Sequence, residues 1–154
     1  MEQFYEEKDV FKSDIDVLYY EFRMFNQIPL LTDGHWAKDN AQIESFLLHA
    51  RNLIEFLHCD GHLKCSGFKG KDDKLISPIK FISKDNVQRI NEHLSHISSK
   101  RRRIKLGWRT KELKNEINKN FIEFLEKISP NYFSDGNISF SVLNFTELVN
   151  RNKN

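Results

Sequence analysis

Four stretches of this chain place apolar side chains three and four residues apart, and that spacing favours helices that share one interior. The clearest covers about residues 40–58, where Ile43, Phe46, Leu47, Ala50, Leu53, Ile54 and Leu57 form one stripe. An earlier stretch, about 8–27, uses Val10, Phe11, Ile15, Leu18, Phe22, Phe25 and Ile28 and stops before Pro29. A third covers about 84–102, with Ser83 in N-cap position and Val87, Ile90, Leu94 and Ile97 turned inward. The last, about 110–128, carries Leu113, Ile117, Phe121, Phe124, Leu125 and Ile128, with Pro130 just beyond it. Only 6 glycines and 3 prolines occur in 154 residues, so few breakers interrupt these runs. The pattern predicts an all-α domain: a bundle of four or five helices spanning 1–154.

The connections are uneven. "PLLTDGHWAKD" reads as a link, with Thr32, Asp33 and Gly34 as turn residues. Asp60 and Gly61 are expected to stop the second helix. Residues 60–83 form a long internal loop that holds Gly61, Gly67, Gly70 and Pro78, and its "KLISPIKFI" suits an extended course. Loops longer than ~12–15 residues are uncommon in compact domains and tend to be functional or mobile. Residues 130–154 read as a weakly structured tail, short and irregular or extended, in which "NISFSVLNFTELV" fits a strand or a fifth helix.

Net charge is +2, but it is spread unevenly. Residues 1–22 hold Glu2, Glu6, Glu7, Asp9, Asp14, Asp16 and Glu21 against two lysines. Residues 100–114 hold Lys100, Arg101, Arg102, Arg103, Lys105, Arg109, Lys111 and Lys114 against Glu112. That basic block either attracts phosphates or lies beside the acidic first helix and neutralises it. No apolar run reaches the roughly 20 residues that a membrane span needs, so no membrane partner is expected. The acidic N-terminus has no secretory h-region. Cys59 and Cys65 alone make a poor disulfide framework, and a reduced, cytoplasmic chain is the expectation.

Polar residues flank the apolar stripes in a repeated arrangement. Arg51, Glu55 and His58 stand at i, i+4 and i+7, so they share one side of the second helix. Arg89, His93 and His96 repeat that order on the third. If the two sides converge, arginine can grip a phosphate while histidine moves protons near neutral pH. The plain alternative is an ordinary Arg51–Glu55 surface pair and solvated histidines. Cys59, His62 and Cys65 fall at even intervals with His58 adjoining. A four-ligand zinc site would need His35 or His49 as well, so no metal and no cofactor is assigned. Neither a glycine-rich phosphate loop nor a Ser-His-Asp pattern is present.

Arg51-Asn52, five further residues and His58, set within a small helical bundle, resemble the motif of the HEPN superfamily. Here the histidine stands at the long end of that spacing, with Glu55 and Phe56 where many members have it. The resemblance implies a bundle that forms a homodimer and sets two such motifs in a shared cleft. Active members are metal-independent ribonucleases and others only bind RNA or nucleotides, often in toxin–antitoxin or other defence systems with a protein partner such as an antitoxin. Carried over, Arg51 would stabilise phosphate charge, Asn52 would orient the site, and His58 or His96 would handle protons at the attacking 2′-hydroxyl or the leaving group. Arg89, His93, Arg101, Arg102 and Arg103 would bind the RNA backbone. Separately, "IESFLLHARNLIEFL" with "INEHLSHISSKR" is similar to a group of short bacterial proteins of uncharacterised function, which again points to Arg51, His96 and Arg101 or Arg102. A non-catalytic binding or dimerisation module is the alternative reading.

Overall fold

In the computed structural model the described residues are 13–29, 34–95 and 109–133, together with 147 and 150. They form an all-α bundle of four main helices: α1 (Asp14–Gln27), α2 (Trp36–His58), α3 (Lys84–Ser95) and α4 (Thr110–Lys127). Residues 96–108, and with them His96 and Arg101, Arg102 and Arg103, lie outside the described residues. No β-strand forms among the described residues; there are two isolated bridges, Lys69 with Leu75 and Gly70 with Ile128.

Local chemistry sets the helix ends. Ser13 Oγ accepts the Asp16 N–H at 3.4 Å, and Asp14 and Asp16 add negative charge to the first turn of α1. Ile28 leaves the helix with ψ 119°, as the residue before Pro29 must. The second helix begins earlier than its apolar stripe predicts. His35 caps it, its Nδ1 accepting the Lys38 N–H at 3.4 Å, and the added first turn carries no core residue. Trp36 there is 80% exposed. Ser83 caps α3 through the Asn86 N–H at 3.3 Å.

The end of α2 departs from expectation. Cys59, not Gly61, takes the left-handed conformation, with φ 63°. The Cys59 N–H reaches the Phe56 carbonyl at 3.3 Å and the Asp60 N–H reaches the Glu55 carbonyl at 3.0 Å. Those two bonds are a Schellman closure, which glycine usually provides because a side chain costs roughly 1–2 kcal/mol there.

Helix α2 packs against each of the other three and forms the axis of the core. Phe22, Phe25, Phe46, Phe121 and Phe124 are fully buried, with Leu47, Leu53, Ile54, Leu57, Ile90 and Ile117 between them. The segment after α2 is not a free loop. It crosses to the end of α4, where the Lys71 N–H donates to the Lys127 carbonyl at 3.0 Å and the Ser129 N–H donates to the Lys69 carbonyl at 2.9 Å. Gly70 sits at the crossing, where a Cβ would meet the Lys127 carbonyl oxygen at 3.1 Å. The chain then returns to α2 through the Ile79 N–H, which donates to the Leu57 carbonyl at 2.8 Å. Cys65, Phe68, Ile76 and Ile79 are buried beneath it. Phe56, outside the predicted stripe, is therefore covered as well, edge-on to Phe124 at 5.0 Å and to Phe68 at 5.9 Å.

Candidate functional site

Polar side chains leave α2 in three directions. Arg51 and Asn52 are consecutive, hence about 100° apart around the helix. Asn52 turns to α1, where its Nδ2 donates to Glu21 Oε2 at 3.1 Å. His49, one turn earlier, brings Nδ1 to the same carboxylate oxygen at 2.7 Å and is itself buried. Tyr20 stands edge-on to the His49 ring at 6.0 Å. Glu21, Asn52, Glu55 and His62 share a groove of about 210 Å³ between α1, α2 and the segment following α2. One carboxylate oxygen thus takes two donors from α2, a charge-assisted arrangement stronger than neutral contacts.

Arg51 is half-buried, and its Nε lies 3.8 Å from Glu55 Oε1, beyond hydrogen-bond length. That nitrogen is sealed from solvent and has no hydrogen-bond acceptor among the described residues. The i, i+4 pair expected from the sequence is present only as this loose contact.

His58 belongs to the bundle interior more than to an open cleft. Its side chain is 6% exposed. Nε2 accepts the Phe81 N–H at 3.3 Å, and the Phe81 ring stands edge-on at 5.2 Å. A nitrogen that accepts carries no proton, so the neutral ring holds its hydrogen on Nδ1, which faces Asp60 Oδ2 at 4.0 Å. Burial lowers its pKa below the ordinary 6.5; Asp60 opposes that shift and Lys80 adds to it. His58 lines a cleft of about 290 Å³ with Asp60, Ile82, Lys84, Val87, Gln88 and Asn91.

The sign of that shift gives a prediction. Below about pH 6.5 the unfolded chain binds a proton at His58 that the folded chain resists. The stability held by the neutral ring is full above the unfolded value and is lost as pH falls from there through the folded one. His58→Gln should therefore flatten the drop in urea midpoint between about pH 7.5 and about pH 5.5. Equal drops in wild type and variant would show that His58 titrates freely.

The other predicted residues separate. Arg89 lines a cleft of about 610 Å³ between the starts of α3 and α4, with Arg109, Glu112 and Glu116. His93 is half-buried in the last turn of α3. Asn52 and His58 line different cavities within one chain. Lys114, from the basic block, reaches α1: its Nζ donates to the Asn26 carbonyl at 3.1 Å in the last helical turn. Among the described residues no three His, Cys, Asp or Glu side chains gather as metal ligands. No helix among them is long and apolar enough to cross a membrane.

The Glu21–His49–Asn52 cluster escaped sequence reasoning. The i, i+3 spacing of His49 and Asn52 was the available signal, whereas Glu21, on another helix, offered none. Comparison with known protein families, curated proteins and solved structures gives no match for this chain.

Proposed function

We propose that this chain is a HEPN-like helical module that binds RNA as a homodimer, through the Arg51 side of α2 and the basic residues of 100–114. The occupied state of His58 carries the choice of binding over cutting. A general base needs a free nitrogen at the reacting oxygen. His58 Nε2 already accepts the Phe81 N–H, and burial favours the neutral ring. Binding asks only for fixed positive charge, and a guanidinium keeps its charge at any physiological pH. Arg51 is supported in that role by a side chain that is partly exposed on the longest described helix and held by Glu55 only at 3.8 Å. Asn52 positions α1 against α2 through Glu21. A defence or toxin–antitoxin setting, with an antitoxin-like protein partner, belongs to the same proposal.

A metal-independent endoribonuclease is the second reading, and one observation favours it. The Nδ1–H of His58 faces Asp60 beside a surface cleft and can donate while Nε2 keeps its backbone bond. His58 would then hydrogen-bond the leaving-group oxygen through Nδ1–H while water supplies the proton, with Arg51 on phosphate.

Both are tested on single-stranded RNA in excess chelator. Binding should weaken steeply with salt, and Arg51→Ala should reduce the log–log salt slope by about 1 per protomer, with no cleavage by the wild type. Cleavage that disappears in folded His58→Ala or His96→Ala would put the second reading in place of the first. Absence of both binding and cleavage in a folded protein would remove both.

A further inference from the structure

The two cysteines take no part in the α2 polar faces, yet the fold brings them together. Cys59 occupies the left-handed cap of α2, and Cys65 opens the short 3-10 turn Cys65–Gly67. Their sulfur atoms are 3.3 Å apart. Cys59 is half-buried, while Cys65 is 0% exposed and its S–H is within reach of the Leu57 carbonyl at 3.3 Å. One thiol therefore meets solvent and the other waits directly behind it.

We propose that Cys59 and Cys65 form a hydroperoxide-oxidisable thiol pair that closes to an intramolecular disulfide at the end of α2. A disulfide holds its sulfurs about 2.05 Å apart, so they must close by about 1.2 Å. Rotation of the Cys59 side chain is the available motion, because Cys65 is enclosed by the core.

The two sulfurs have unequal roles. Burial opposes ionisation of Cys59, but hydrogen bonds from Ser66 and Cys65, with Lys64 nearby, outweigh it and lower the thiol below its ordinary value. Burial pushes Cys65 up to about 12, and its hydrogen bond and charge coupling to Cys59 push the same way. Cys59 is thus the attacking thiolate and Cys65 the resolving thiol. In the first step Cys59 Sγ attacks the peroxide, an S–O bond forms and the O–O bond breaks. The departing alkoxide or hydroxide takes up a proton from water, leaving a sulfenic acid. In the second step Cys65 Sγ attacks that sulfur, the S–S bond forms and the S–O bond breaks. The departing hydroxide leaves as water with the proton of Cys65. Two thiols are oxidised by two electrons and one hydroperoxide is reduced to an alcohol or water.

The test uses the reduced full-length protein and one equivalent of hydrogen peroxide at neutral pH. Lys64 lies between the cysteines, so trypsin separates them and only an S–S bond keeps fragments 52–64 and 65–69 together. The expected result is a fall from two free thiols to none, with those fragments joined within one chain and released by dithiothreitol. Cys65→Ala should stop at a sulfenic acid on Cys59 that dimedone traps. Cys59→Ala should leave Cys65 unreactive in the folded protein, a readout that stands even if the first variant fails to fold. Oxidation of Cys59 to sulfinic acid without linkage, crosslinks between chains, or two surviving thiols would each overturn the pair.

Discussion

Phe121→Ala should cost about 3–5 kcal/mol of folding free energy, the range for truncating a fully buried aromatic ring. Phe121 is 0% exposed and stands where three parts of the fold meet. Its ring stacks on Phe22 of α1 at 4.5 Å and lies 6.2 Å from Phe56 of α2 and 5.8 Å from Phe124 of its own helix. Removing it leaves a cavity bounded by rings that cannot all collapse inward, so the transfer loss and the lost dispersion contacts add. For a chain of this length the melting temperature should drop by roughly 6–20 °C. Trp36→Ala is the matched control: a large aromatic that is 80% exposed, expected to change stability by about 0.5 kcal/mol or less. A loss below about 1 kcal/mol for Phe121→Ala would mean that α1 and α4 do not meet through this ring.

The second large effect concerns polarity in the same interface. Asn26 and Asn118 are 1% and 8% exposed and exchange amide hydrogen bonds between α1 and α4. Asn26 Nδ2 donates to Asn118 Oδ1 at 3.1 Å, and Asn118 Nδ2 donates to Asn26 Oδ1 at 2.8 Å. Asn26 Nδ2 also reaches the Phe22 carbonyl at 2.9 Å. Replacing either residue alone by leucine strands a buried amide and should cost about 1–3 kcal/mol. Replacing both removes the stranded groups together, so the double variant should lose less than the sum of the singles, with a coupling of about 0.5–3 kcal/mol. Urea unfolding of the four proteins measures it. Strict additivity would show that the two amides act independently. The pair joins positions 92 residues apart in the chain and favours the register of α1 on α4 in which the two amides meet.

All four helices were legible from spacing and punctuation. Pro29 ends α1, Ser83 starts α3, and the apolar stripe of α4 runs up to Pro130. Within the candidate site, the common line of Arg51 and His58 and the divergence of Asn52 follow from helical geometry alone. What each side chain does there was not legible. His58 reads as a proton-transfer candidate by type, yet Phe81, 23 residues later, supplies the amide that occupies its Nε2. Asn52 reads as part of the motif, and Glu21, 31 residues earlier, claims it.

The sequence by itself therefore determined the four helices, the Ser83 cap of α3 and the apolar faces that hold them, because those depend on neighbours within a turn or two. The His35 and Cys59 ends of α2 came only with the structure. Only the tertiary structure decided the second face of α2: the crossing at Gly70 that buries Phe56, the Glu21 carboxylate shared by His49 and Asn52, and the sulfur pair at Cys59 and Cys65. Each of those contacts depends on how the backbone returns over α2 from elsewhere in the chain. Buried polar atoms such as Asn52 Nδ2 and His58 Nε2 take the partner that tertiary packing delivers, because leaving one unpaired costs about 1–3 kcal/mol; Arg51 Nε is an exception.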